Sequence, residues 1–563
     1  MDSVPGPSRV SRKRKRNSSQ CKQSLASIAN LCKTELNDSD SDLSASSSDC
    51  KLNSESESDD CGSELSADES QDSNSNIETH WSSDSSSMQT VPFIKQQSLL
   101  VPIPAPCEPL KFFQMILTDE FFADIVKYTN EYAQHLLHQE MRKSSRVRAW
   151  KDLTIEELKT FVALLLHTGT VQLPKLNDYW KTHWLFNYCC FSNYMSRNRF
   201  LLILRCLHFL PVDVQNVESS DKLCKVRLII DHFNNTMNNI YYPGKELLLV
   251  ESMLLWRERP IIRQVIKNEY HKQGIKFYML TEPDGTIIKL EVHSEAGDDA
   301  VGTTQAEKIV LKLFQNKLQC GHSIYMDSFY NSYDLAVKLL NHNTYCTGTL
   351  NKGKKEIPKE LTSAVLKKGE NKSVFCNGVH IGKFRDKRNI FYITTEFMDN
   401  MTEMRNKQNV IKHKPEAIVN YNKYMSGVNK QDQMMANYPC SRKTLRWYKK
   451  IFVHILQLSF LNSFYLYNKF SNRKCNFYDY KMQVLEVLLP KKENMKTLKS
   501  IHRLSKIGNI KQDLKKNIKV TMRKECKMCR MRSVRKDTTY QCNICTGQPG
   551  FCVECFFDFH EKQ

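Results

Sequence analysis

From residue 109 onward apolar side chains recur at regular spacing, whereas before it they are scarce. Thr154, Ile155, Glu156 and Glu157 form a capping box, after which Leu158, Phe161, Val162, Leu165 and Leu166 fall on one helical face. Ser196 is placed to cap a second amphipathic helix carrying Phe200, Leu201, Leu204, Leu207 and Phe209. The period changes near Leu247. Glu246 to Leu255 is apolar on both sides apart from Glu251 and Ser252, as a strand buried on both faces requires. Gly274 to Thr281 and Thr286 to Val292 flank the tight-turn sequence Pro283, Asp284, Gly285, which predicts a hairpin. Helical spacing returns at Ala306 to Leu318, followed by a strand at Ser323 to Met326 and a helix at Ser332 to Leu340. That order predicts an α/β layer arrangement. Leu445 to Tyr467 is long and apolar, but His454, Gln457, Ser459 and Asn462 interrupt it, so a helix buried in protein is expected and not a membrane span.

Composition adds a direction to this picture. Residues 1–105 are rich in Ser, Asp and Glu, with too few large apolar side chains to offset the entropy of ordering them, so a disordered tail is expected. Within it, the basic run Arg12 to Arg16 is compatible with nuclear import. Residues 1–100 hold 10 Lys+Arg against 16 Asp+Glu, leaving 72 against 45 in the remainder, a net charge of +27. A body that basic favours an anionic partner, most simply nucleic acid, because Lys and Arg release counterions from phosphates. No apolar run is long enough to cross a bilayer, so a soluble nuclear protein without a membrane partner is expected. Residues 487–522 are Lys-rich and read as a basic linker.

Cysteine usage points to metal. In a reducing compartment the 20 Cys are expected to be thiols or ligands, and only the last forty residues have ligand spacing. Cys526 and Cys529, Cys542 and Cys545, and Cys552 and Cys555 form three CxxC pairs, followed by His560. Paired thiolates on tight turns suit tetrahedral Zn²⁺, structural and present as one or two ions. Seven ligands are one short of two complete sites. The eighth is left open between Asp558, another His and water, as is the pairing.

Three further segments carry a resemblance. They are LLLVESMLLWRER (Leu247 to Arg259), SIYMDSFYNS (Ser323 to Ser332) and KPEAIVNYNKYMSGVNKQDQ (Lys414 to Gln433). In order and spacing, with the terminal Cys/His cluster, they resemble the catalytic core of the piggyBac family of DNA transposases across residues 109–563. The resemblance implies an α/β RNase H-like core (247–352 and 415–438), a discontinuous α-helical dimerisation and DNA-binding domain (106–246 and 439–486), a β-rich insertion domain (353–414) and a C-terminal cross-brace zinc finger (523–563). It also implies a site of three Asp, with a fourth one turn later, holding two Mg²⁺ about 4 Å apart for phosphoryl transfer. Here those positions read Val250, Asp327, Asn429 and Asp432. Val250 has no ligand atom and Asn429 lacks the charge a hard cation needs. Strand alternation points Glu251 to the opposite face from Val250, so it is not expected to substitute. Mg²⁺ is expected only if this altered site is active.

Candidate phosphate donors are Arg257, Arg259, Lys276, Lys352, Lys354, Lys355, Arg442, Lys443, Arg446, Lys449 and Lys450, with Arg530 and Arg532 in the Cys-rich segment. The expected function is a domesticated, transposase-derived nuclear protein that binds double-stranded DNA as a homodimer without cutting it. An active transposase and a chromatin-associated protein-interaction factor that uses the zinc finger remain as alternatives.

Overall fold

The computed structural model describes residues 80–139, 145–186, 189–212, 221–255, 264–265, 273–293, 305–405, 409, 411–426, 430–440, 445–490, 502–508, 510–513 and 518–561. Its first half is helical. The principal helices are α1 (Pro109–Ile116), α2 (Asp119–His138), α3 (Ile155–His167), α4 (Arg197–Cys206) and α5 (Cys224–Ile240). The caps explain where they start. Thr154 accepts from the Glu157 amide at 3.2 Å and Ser196 from the Arg199 amide at 3.3 Å, each satisfying a donor that the first helical turn leaves unpaired.

A nine-stranded sheet follows. Its first four strands are β1 (Glu246–Leu255), β2 (Gln264–Val265), β3 (Gln273–Thr281) and β4 (Ile287–Val292). Helix α6 (Gln305–Phe314) leads to β5 (Ser323–Met326), and α7 (Tyr333–Asn341) leads to β6 (Tyr345–Leu350). Then come β7 (Asn371–Cys376), β8 (Val379–Arg385) and β9 (Asn389–Thr394). Strand β1 pairs antiparallel with β3 and parallel with β5, and β5 pairs parallel with β6. Strands β6, β9, β8 and β7 continue antiparallel, while β2 and β4 pair with β3. The expected insertion thus contributes three strands to the main sheet through the β6–β9 pairing.

Beyond the sheet lie a ribbon of β10 (Met401–Arg405) and β11 (Ile411–Pro415), then α8 (Glu416–Met425), α9 (Lys430–Asn437), α10 (Trp447–Phe470) and α11 (Phe477–Leu488). Helix α10 packs against α1 and α5, and α11 against α1 and α3, so the chain returns to its first helices after completing the sheet. From Tyr448 to Tyr467 α10 is buried on all sides. Among its polar residues, Asn462 spans the backbone of Ile287, accepting from its N–H at 3.0 Å and donating to its carbonyl at 2.7 Å. Asn234 of α5 clasps Leu290 in the same way, at 2.8 and 2.9 Å. These amides satisfy edge groups of β4 that would otherwise be buried without partners. No described helix is long and apolar enough to cross a membrane.

Residues 80–105 differ from the expected disordered tail. Ser82 pairs with Phe375 at the edge of β7, Trp81 meets Tyr333 edge-on at 5.3 Å, and Ser98–Leu99 pairs with Tyr241–Tyr242. This segment is a strap whose few apolar residues dock singly, without a period, and whose backbone is satisfied by the strands it crosses. The Ser- and Asp-rich run before residue 80 lies outside the described residues. Likewise, the expected basic linker contains β12 (Leu504–Lys506), β13 (Ile510–Asp513) and β14 (Ile518–Thr521). The Cys-rich segment adds β15 (Tyr540–Cys542) and α12 (Val553–Glu561).

The strap, sheet and helices converge on Glu282, which is 3 % exposed. It accepts hydrogen bonds from Tyr241 Oη at 2.6 Å, Gln97 Nε2 at 2.6 Å and the Gly244 amide at 2.7 Å, and it pairs with Lys469. Lys469 also reaches Asp284 at 2.9 Å and Thr286 Oγ1 at 2.9 Å. Lys469→Met leaves this carboxylate buried and unpaired, so urea denaturation should show a loss of about 3–5 kcal/mol, with much of it recovered in Glu282→Met/Lys469→Met. A single-variant loss below about 1 kcal/mol contradicts this role.

Candidate metal sites

Of the positions singled out in the three motifs, Val250, Asp327 and Asp432 lie on β1, at the end of β5 and on α9. Val250 is 2 % exposed in the middle of β1, opposite Met279 of β3. Ser252 lies two residues further along and therefore on the same face. Its hydroxyl donates to Asp432 Oδ1 at 2.9 Å, which fastens α9 to the strand. Desolvation raises the Asp432 carboxyl above the ordinary range, and the Ser252 hydrogen bond opposes that shift. Asp327 follows β5 and is exposed. It accepts from the Ser328 amide, and its carbonyl accepts from Tyr330 N at 3.1 Å, so it caps the turn into α7. Asn429 lies outside the described residues.

Glu251 faces away from Val250, as strand alternation dictates. It pairs with Lys276 Nζ at 2.7 Å and accepts from the Tyr330 hydroxyl. Burial, then the charge of Glu251, push the Tyr330 hydroxyl far above its ordinary range. The glutamate is thus committed to a local network on the opposite face. Lys276, a candidate phosphate donor, is held in the same network, with its ammonium 4.9 Å from the Tyr278 ring centre and 5.4 Å from that of Phe329.

The other basic candidates divide by exposure. Lys352, Lys355, Arg530 and Arg532 are exposed, although Arg532 pairs with Asp558 at 3.0 Å and Arg530 approaches Glu525 at 3.7 Å. Lys354 is half-buried and donates to the Asn331 carbonyl. Arg446 and Lys450 are half-buried near the start of α10. Lys449 is interior at 4 % exposure, donating to the Leu204 and Arg205 carbonyls at the end of α4 at 2.8 and 2.6 Å. Arg257, Arg259, Arg442 and Lys443 lie outside the described residues.

The terminal segment brings its ligands together in two groups. Cys526, Cys529, Cys552 and Cys555 form one; His502, Cys542, Cys545 and His560 form the other, with the ligand atoms of each group within 4.8 Å of one another. The first group fits a tetrahedral ion closely. Zn–S bonds of about 2.3 Å imply S···S edges of about 3.8 Å. Here Cys526–Cys552, Cys529–Cys552 and Cys529–Cys555 measure 3.7, 3.8 and 3.6 Å. In the second group the Cys–His separations are 3.2 to 3.3 Å, somewhat inside the edge of about 3.6 Å expected for mixed sulfur and nitrogen ligands. Each set can hold a metal ion such as zinc, and the pairs interleave along the chain as in a cross-brace. His502 supplies the eighth ligand that the CxxC spacing could not identify. It stands alone 24 residues before Cys526, and only its place beside β12 reveals it. Among the described residues these are the only groups of three or more such ligands.

A family model described as Transposase IS4 matches residues 108–464, more than half of the chain. The chain belongs to the piggyBac-type transposase family. Human PiggyBac transposable element-derived protein 3 is 22% identical over 481 residues, covering 81% of this chain and 76% of that protein. Human PiggyBac transposable element-derived protein 5 is 22% identical over 396 residues, covering 65% and 72% respectively. Among solved structures, the piggyBac transposase synaptic complex with hairpin DNA aligns with a TM-score of 0.61 at 24% identity, covering 72% of this chain and 86% of that one. The piggyBac fold is therefore shared.

Lys449 gives this family member a measurable pH signature. Burial, reinforced by Arg446 and Arg205 against an opposing effect of Cys206, pulls its ammonium down to about 7. The unfolded chain, with an ordinary lysine near 10.4, then holds more protons than the folded one between about pH 7 and 10. Stability should consequently rise with pH across that window relative to Lys449→Met, as read by urea unfolding at pH 7 and pH 9. Parallel behaviour of the two proteins contradicts the shift.

Proposed function

We propose that this chain is a piggyBac-derived nuclear protein that binds double-stranded DNA as a homodimer and no longer performs strand cleavage or transfer. The observation that carries the reading is Val250, an isopropyl group 2 % exposed at the strand position where the family resemblance puts the first metal-bridging aspartate. Two divalent ions need several charged oxygen ligands between them. The remnant set offers Asp327, which caps a turn, and Asp432, which is engaged by Ser252. Glu251, the nearest alternative, is on the far side of the sheet and neutralised by Lys276. Mg²⁺ chemistry thus has no assembled donor set among the described residues.

What persists suits binding. The sheet from β1 to β6 with α7 serves as an RNase H-like core, and the helices on either side of it in sequence form the dimerisation and DNA-binding body. The Cys-rich segment holds two structural Zn²⁺ ions in this reading, presenting Arg530 and Arg532 on the surface between the first two CxxC pairs. The net charge of +27 beyond residue 100 supplies the long-range attraction, and Arg12 to Arg16 the route to the nucleus.

The binding claim is tested by titrating the full chain against a duplex while salt is varied. Six to ten phosphate contacts make affinity fall by roughly 10³ to 10⁵ between 50 and 200 mM salt. A slope near zero rejects direct DNA binding.

A further inference from the structure

The second ligand group reaches outside the Cys-rich segment. His502 lies 40 residues before Cys542, in a stretch whose composition reads as linker. Its Nδ1 is nevertheless 3.2 Å from Cys542 Sγ and 3.3 Å from Cys545 Sγ. His560 completes the group with Nε2 at 3.3 Å from Cys545 Sγ. The other nitrogen of His560 lies 2.8 Å from the Phe556 carbonyl. A proton on Nδ1 satisfies that carbonyl and leaves the Nε2 lone pair directed at the ligand group.

Beyond these ligand contacts His502 packs on the His560 ring at 4.4 Å and is carried by a short strand. Strand β12 has three residues, pairing Leu504 with Cys542, Ser505 with Gln541 and Lys506 with Tyr540. Further bonds run from Ile507 N to the Thr539 carbonyl at 2.8 Å, from Asn543 N to the Arg503 carbonyl at 3.4 Å, and from the Ser505 hydroxyl to Asn543 Oδ1 and, at 3.4 Å, to the Gln541 carbonyl, and Leu504 packs against the small core of Cys526, Cys529, Cys542, Cys555, Phe551 and Phe556. A pair of such short strands is marginal in water without a further tie. A core of this size needs metal or disulfide support.

We propose that His502 makes the second metal centre a staple that joins the preceding basic segment to the Cys-rich domain, so that occupancy of this centre, separately from the first, sets whether β12 is ordered. The inference rests on the zinc reading above. An ion bound by His502, Cys542, Cys545 and His560 closes a loop of 40 residues around the β13–β14 hairpin. In sequence that loop is rich in lysine and arginine, including Lys511, Lys519 and Arg523. Without His502 the remaining three ligands leave an open position of the kind found in labile or catalytic sites, and not in closed structural ones.

Zinc per full-length chain, measured by native mass spectrometry, and amide exchange across residues 502–508 test the staple. The wild-type chain should carry two ions and protect the β12 amides. His502→Ala should retain one ion, with exchange over β12 faster by at least about tenfold and Cys526 to Cys529 still protected. His502→Cys, which supplies a thiolate at the same place, should restore the second ion. A His502→Ala chain that keeps two ions and wild-type protection overturns the staple. If His502→Ala instead loses both ions, recovery of both by His502→Cys supports the staple and failure to recover them overturns it. A wild-type chain without zinc fails the zinc reading itself, a result distinct from any of these.

Discussion

A buried carboxylate, Glu282, is the point at which this molecule is tied together. It sits in the turn between β3 and β4, and its partners come from regions far apart in sequence: Gln97 of the strap, Tyr241 and Gly244 just before β1, and Lys469 near the end of α10. Removing a charge from water is costly unless geometry and hydrogen bonding restore what solvation gave. Its four partners do so here only when strap, sheet and helix are all in place. Asn462 and Asn234, clasping β4 from two helices, extend the tie along the hairpin. The helical body and the sheet are thereby joined by polar groups as well as by apolar packing.

That union bears on the altered site. Strand β1 is pinned between β3 and β5, and α9 is held by Ser252 on β1 and by Gln431 reaching the Gly285 carbonyl at 2.5 Å. Strand β1 and helix α9 are therefore held together by interactions independent of metal. Val250 contributes as core, and Asp432 as a hydrogen-bond acceptor. Glu282, the clasping asparagines and α10 tie this region together without calling on a metal at those positions.

Much of this was legible in the sequence wherever one residue type has one physical use. Capping by Thr154 and Ser196, the turn at Gly285, and the CxxC pairs all depend on local chemistry, and the hairpin, helices and ligands lie where those signals put them. Burial of α10 was likewise announced by its polar interruptions. The strap was not legible, because Trp81 and Leu99 dock one at a time against surfaces that exist only after folding. Lys449 looks like a surface cation in a basic run, and only the position of the α4 terminus makes it interior. His502 lacked a spacing signal for the same reason, since its partner cysteines are brought to it by β12 and β15. The three-strand contribution of residues 353–414 to the main sheet depends on the β6–β9 pairing, a contact no periodicity encodes.

A piggyBac framework without two-metal chemistry, as proposed above, should bind terminal repeats but not cut them. This is tested most directly by an excision assay on piggyBac-type terminal repeats with Mg²⁺ or Mn²⁺, comparing the natural chain with Val250→Asp/Asn429→Asp. No excision by the natural chain is expected, whether or not the double substitution restores any. Robust, metal-dependent excision by the natural chain would contradict the proposal.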